Sequence, residues 1–522
     1  MERLPRPNIN DIDSEFWIDE AIWGYQLADE QTPWLTFLEF LGIAQSEALA
    51  GRAFQESADN TLRYKTYHRL YLRNILFNNP RLETILEESV DDKERWQKWL
   101  TEMQETAGGI DEPDFSYLRS RFSSFRDLVL LVKFLQSNIL EGNANKRWSS
   151  RFVFPYGPNC LYEDLQVTRD QVVNDQRFFA HTGELLYLML CRSGQGENIL
   201  YRLAKLGLVT SEKFSEFHFK WDRLVAALQP TEDSKLFDKD DHQLAYLPYR
   251  QLSDYQDLAT DWDNILQNEM PNYDAVPHLV TITGLHLLRY LLSRAQVVLG
   301  LQPFPTFVVE ILAPGKTAVR DLSANQFSEN NNLSTKAVDA YITAITQHPQ
   351  WQACLAEQAP AAVAAKLLRD TYGWTEAETV LASNDSLEKV LAILRERAKD
   401  HHEGHLGKFH RQWTREIGLA SNRSSKRMRY LPTDALLKTL VIASVPFKME
   451  FQEFLATLYQ KYGLIIGDRQ AAEVVERGEA DQTAFSDNAR RLEHRLSSLG
   501  LLQRLSDACA YIQNPFALEG GS

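Results

Sequence analysis

A chain of 522 residues exceeds the size at which one hydrophobic core keeps growing, so about two to four domains are expected. Its 44% hydrophobic and 24% charged residues exclude a disordered chain, and a net charge of −15 excludes a surface that embraces nucleic acid throughout. Cys160, Cys191, Cys354 and Cys509 are too scattered for a CxxC zinc site and too few for a disulfide framework, which points to reduced thiols in a cytoplasm.

Residues 1–16 lack the apolar core of a signal peptide. Phe16, Glu20, Trp23 and Leu27 then recur at helical spacing and predict an amphipathic helix over 12–28. Thr32 and Pro33 read as the cap and first residue of a second helix, which Gly42 is expected to end. Helical patterns at 58–77, 79–104 and 114–140 complete an N-terminal helical domain, 1–145.

Extended residues Arg151–Pro155 and the turn Tyr156–Asn159 open a central, mainly helical domain with a few strands, 146–320. Helical patterns resume at 170–228, and 229–255 reads as a surface excursion. The longest apolar stretch, Leu279–Leu301, is interrupted by His286, Arg289 and Arg294, so a helix over 276–298 is expected in a core and not in a membrane. Thr306–Leu312 is the best strand candidate, ended by Pro314-Gly315, and 320–332 reads as a loop. Helices near 334–347, 359–372, 375–382 and 386–400 make 321–420 a helical segment, and 517–522 reads as a tag remnant. The expected fold is mainly α and multi-domain, with small β elements.

Residues 430–516 carry the clearest organisation. Thr433 caps a helix holding Leu436, Leu437, Leu440 and Val441, which Pro446 stops. Phe451, Phe454, Leu455, Leu458, Tyr459 and Tyr462 form the stripe of a second helix, closed by Gly463. A third helix runs from Ser486 to Leu499, and 501–512 reads as a hairpin turning at Ser506-Asp507. Three helices followed by a two-stranded wing resemble a winged helix-turn-helix domain. The resemblance implies that the third helix, with Arg490, Arg491 and Arg495, contacts DNA or a partner protein.

Directly before this module, Lys408, Arg411, Arg415, Arg423, Lys426, Arg427 and Arg429 stand against one acid, Glu416, a local balance of +6. A contrast of that sign suits a phosphate-contacting segment, a solvated linker or pairing with an acidic subunit.

Catalytic signatures are sparse. His401 and His405 lie four apart and could bind one metal from one helix face, although this is not an HExxH motif. Gly404 and Gly407 weaken that helix. Pro314-Gly315-Lys316-Thr317 resembles the end of a phosphate-binding loop, but Glu310 stands where the first glycine would be. The acidic cluster Asp238, Asp240, Asp241 and His242 reads as a solvated loop, and Asp114 lacks a nuclease partner.

The helical body and winged-helix-like tail resemble accessory subunits of multi-gene bacterial anti-phage or DNA-modification systems. The likeness is carried by Trp23-Gly24-Tyr25 through Trp34 and by Leu499 through Phe516. It implies a non-catalytic cytoplasmic scaffold or adaptor, with no cofactor and no membrane contact, that meets other subunits or duplex DNA. The alternative is a metal-dependent hydrolase built on the 401–410 histidines.

Overall fold

The computed structural model describes residues 4, 17–25, 27–57, 60–65, 68–79, 81–137, 153–161, 165–167, 172–174, 181–214, 217, 219–230, 243–271, 273–372, 374, 386–423, 426–506 and 509–517. These residues are mainly α-helical with short strands, and they form two compact units. One comprises residues 34–187 and 196–245, the other 1–33, 188–195 and 246–522. The expected helix at 375–382, the acidic cluster at 238–242, the second residue of the expected Ser506-Asp507 turn and residues 518–522 lie outside the described residues.

In the first unit, helices Leu70–Phe77, Leu82–Glu88, Asp92–Thr106, Tyr117–Arg121 and Phe125–Ser137 share one core. Trp96 meets Phe125 edge-on at 5.3 Å and Trp99 meets Phe115 at 5.9 Å, the geometry that aromatic quadrupoles favour. Two expectations fail here. The 58–77 pattern divides into a strand, Thr61–Tyr64, and a helix that starts only at Leu70. Between them Arg69 holds a left-handed backbone (φ 44°), with its guanidinium donating to the carbonyl of Leu161 (2.6 Å) and to Gln229 Oε1 (2.8 Å). The helix from Pro33 continues through Gly42 to Leu49, because burial of Phe37, Leu38, Phe40 and Leu41 outweighs a glycine cost of about 1 kcal/mol.

In the second unit the working elements are α1 (Trp17–Trp23), α2 (Ser253–Gln267), α3 (Ala275–Val298), β1 (Phe307–Val308), α4 (Ala318–Asn331), α5 (Leu333–Gln347), α6 (Leu387–His405), α7 (Phe409–Glu416), β2 (Ala420–Ser421) and β3 (Arg429–Tyr430). They are followed by α8 (Asp434–Ser444), β4 (Lys448–Glu450), α9 (Phe451–Tyr462), β5 (Leu464–Ile465), α10 (Gln482–Ser498), β6 (Leu502–Ser506) and β7 (Cys509–Gln513). By length and composition α3 could cross a membrane, yet it is buried along most of its length inside the unit. His286 on this helix is met from a neighbouring helix. His286 Nε2 lies 2.7 Å from Asp261 Oδ2, which also accepts from the Tyr462 hydroxyl at 3.0 Å, while Lys461 pairs with the other oxygen. This is how a core helix tolerates charge-bearing residues.

The segment 320–332 is helical, not a loop. The Thr317 hydroxyl accepts from the Arg320 N–H at 3.2 Å and caps α4, and Val319, Ser323, Ala324 and Phe327 turn inward. The strand expected over Thr306–Leu312 shrinks to the two residues of β1, which pair in parallel with β5. Beyond Val309 the chain bonds to other partners: Glu310 N–H donates to Tyr430 O at 2.9 Å, and Ile311 N–H to the Asn488 side chain at 2.8 Å.

In the tail, Thr433 caps α8 and Gly463 ends α9 in the left-handed region, as the sequence suggests. α10 starts four residues earlier than Ser486, at Gln482. β6 and β7 form the expected antiparallel hairpin, and β4, which carries no strand pattern of its own, adds to its β7 edge to give the order β6-β7-β4. Gly463 combines a φ of +75° with a backbone approach so close that an added Cβ would stand 2.1 Å from Pro305 O. Gly500 shares the positive φ, +72°, but faces open space. Gly463→Ala is therefore expected to cost more than about 1 kcal/mol and clearly more than Gly500→Ala, as chemical denaturation of the two variants will measure.

Candidate nucleic-acid interface

The basic stretch is built on α7. This helix buries Phe409, His410, Trp413 and Thr414 and exposes Lys408, Arg411, Gln412, Arg415 and Glu416. Its inner face is fixed by a Phe409–Trp413 stack (4.3 Å between centroids) and by Trp413 Nε1–H donating to Gln31 O at 2.9 Å. His410 Nε2 lies 2.9 Å from the Tyr430 hydroxyl, and burial pushes its imidazole down to about 3, so it stays neutral near pH 7. Lys408, Arg411 and Arg415 thus share the outward side of one helix.

After α7 the chain turns at Gly418 (φ +75°) into the β2–β3 ladder, where Ala420 pairs with Tyr430 and Ser421 with Arg429. In the connecting residues Arg423, Lys426 and Arg427 are exposed. Arg427 also donates to Asn325 Oδ1 of α4 at 2.7 Å. Arg429 does not join them. Its side chain is fully buried against the equally buried Glu310, and its Nη2 donates to Arg423 O at 2.9 Å. Glu310 accepts a second guanidinium, from Arg320 Nε at 2.8 Å. A buried carboxylate needs such partners, and two arginines satisfy both of its oxygens.

The cations of α10 are mostly engaged within the chain. Arg490 pairs with Asp487 at 3.1 Å and Arg495 with Asp434 at 2.7 Å, while Arg491 is half-buried. On the inner face, the Asn488 amide donates to Val309 O (2.9 Å) and Ile466 O (3.0 Å) and accepts from Ile311 N–H. The structure therefore brings Lys408, Arg411, Arg415, Arg423, Lys426 and Arg427 to the surface, buries Arg429, half-buries Arg491 and pairs Arg490 and Arg495 with carboxylates.

The histidines serve a different arrangement. His401 Nδ1 lies 3.2 Å from the buried Asp19 carboxylate, and His402 Nδ1 lies 3.9 Å from its other oxygen. His402 Nε2 is 3.1 Å from Ser334 Oγ, and its ring stacks on Trp23. His405 stacks on His401 at 4.2 Å, with its Nδ1 2.9 Å from His401 O. Among the described residues no group of three or more His, Cys, Asp or Glu side chains is arranged to hold a metal. This polar cluster joins α1, α5 and α6. Burial pushes the Asp19 carboxyl up, but hydrogen bonds and charge from His401 and His402 outweigh it and hold the group below the usual carboxylate range.

Glu310, Asp19 and Asn488 escape a sequence reading. A lone acid inside the apolar run Thr306–Leu312 was the available signal for Glu310; Asp19 and Asn488 sit in ordinary helical patterns.

The fold defines a mainly α, multi-domain protein whose C-terminal part presents a cationic surface beside a module of helices and a three-stranded antiparallel sheet. Residues 378–515 match the family described as Methylation-associated defense system protein MAD7, and this match, over about a quarter of the chain, supports a defence-system protein. No curated protein and no solved structure gives a match.

Two outcomes follow from this chemistry. Arg429→Ala would leave Glu310 buried with one partner fewer and is expected to cost about 3–5 kcal/mol in chemical denaturation; a loss below about 1 kcal/mol would refute the pairing. The depressed pKa of Asp19 gives stability that is fully present above the unfolded value of about 3.9 and is lost as pH falls through the folded value. Asp19→Asn should thus lower the denaturation midpoint at neutral pH and reduce its dependence on acid.

Proposed function

We propose that this chain is a non-catalytic scaffold or adaptor of a multi-component bacterial defence assembly, acting in the cytoplasm and docking a partner through residues 430–516. The observation that carries the reading is the defence-family match, whose span includes the whole of α8 to β7 and the cationic stretch before it. A winged-helix reading of the module is supported by three longer helices, α8, α9 and α10, followed by a hairpin to which β4 adds, with β5 and a short helix, Ala472–Glu476, intervening between α9 and α10. Phe447 and Leu505 are apolar and exposed there, which suits anchoring into a partner. The metal-hydrolase alternative gains no support, since His401 and His402 face Asp19 and His402 also meets Ser334.

The test is co-expression of the full-length chain with the proteins encoded beside its gene, followed by affinity capture. At least one of them should be retained, and Phe447→Asp or Leu505→Asp should release it without shifting the thermal midpoint. Retention of none of them would end the adaptor reading.

A further inference from the structure

The exposed face of α7 and the β2–β3 connection lie outside that module, and their chemistry is more specific than a general docking role. We propose that Lys408, Arg411, Arg415, Arg423, Lys426 and Arg427 form a sequence-independent contact for the phosphate backbone of duplex DNA, with α10 taking no part. The inference rests on the adaptor reading only for its setting, a subunit that brings an assembly to its target.

The first support is charge that is still available. Among the described residues no carboxylate comes within ion-pair distance of Arg411, Arg415, Arg423 or Lys426, whereas Arg429, Arg490, Arg495 and Arg504 all pair with Glu310, Asp487, Asp434 and Glu493. In a chain of net charge −15, such a concentration marks where polyanions are attracted. Lys408 is the most compromised member, because its backbone N–H and charge also serve the buried Asp29.

The second support is what the face lacks. Exposed large hydrophobic residues include Val363 and Phe447, with none between them among the described residues. A protein interface of any strength needs apolar or aromatic anchors at its centre. Phe409 and Trp413 of α7 are fully buried, so this helix offers neither ring as a platform for stacking unpaired bases. Apart from Glu416, the exposed residues of this face are cationic or polar, which suits the outside of a double helix.

The third support is rigidity and reach. The buried Arg429–Glu310–Arg320 group holds the start of β3 in place, and Arg427 is tied to α4 through Asn325. From Lys408 to Arg415 the helix rises about 10 Å, the axial span of roughly three phosphates on one strand. Four of the six cations are arginines, whose planar forks match phosphate oxygens.

The experiment measures binding of the full-length protein to a short random-sequence duplex by fluorescence anisotropy, between about 50 and about 200 mM salt. Binding should weaken linearly on a log–log plot, with a slope near −5 if all six cations engage. Arg411→Ala with Arg415→Ala should flatten that slope by about 2, and Arg423→Ala with Lys426→Ala and Arg427→Ala by about 3. Both variants should keep the wild-type thermal midpoint, and shuffling the DNA sequence should leave affinity unchanged. Arg490→Ala should bind as the wild type does.

The proposal is overturned by absence of duplex binding at low salt, by tighter binding to single strands, or by loss confined to Arg490→Ala. If the two multiple variants instead release a neighbouring-gene protein while DNA is never bound, the face is a protein surface. The duplex proposal then fails while the adaptor reading stands.

Discussion

Glu310 is a carboxylate with no access to water, and such a group persists in a fold only where cations meet it. The chain supplies Arg320 from the first turn of α4 and Arg429 from the start of β3, one for each oxygen. Removing two ions from water costs several kcal/mol apiece, so the cluster specifies an arrangement more than it adds net stability. It fixes α4 beside β3, and through β3 it decides where the preceding cationic residues emerge. The exposed ridge depends on a charge that no solvent reaches.

The same logic recurs at two other places in this unit. Asp261 gathers His286, Tyr462 and Lys461 from α3 and α9, and Asp19 gathers His401 and His402 from α6. In each case one buried acid on one helix is faced by polar or cationic groups from other segments of the chain. Apolar packing can tolerate small slips of register, whereas a buried carboxylate with defined donors cannot. The unit is thus aligned by a few polar contacts set within a large hydrophobic core.

Legibility in the sequence followed the same division. α3, α5 and α9 were readable because apolar stripes at helical spacing are local information, and so were the caps Thr433 and Gly463. α4 was not, because its inward positions are only Val319, Ser323, Ala324 and Phe327, and the polar residues among them imitate a loop. β4 exists because the edge of β7 accepts it, a reason that lies outside Lys448–Glu450. The basic residues could be counted, but not sorted. Arg427 and Arg429 look alike in the sequence, and what turns Arg429 inward is a residue 119 positions away. Likewise, the spacing of His401 and His405 could be read, but not the buried Asp19 beside His401.

The parallel pairing of Phe307–Val308 with Leu464–Ile465 bears on how this protein can be divided. The matched span begins at residue 378, so a fragment cut there would leave behind β1, all of α4 and two partners of the Asn488 amide, the Val309 carbonyl and the Ile311 N–H. Val308 and Val319 share a small core with Ile465, Ala471, Val474 and Phe485, and excision would expose what remains of it. Recombinant work on the tail is better begun upstream of Pro303, so that α9 and α10 keep the strand and helix against which they fold.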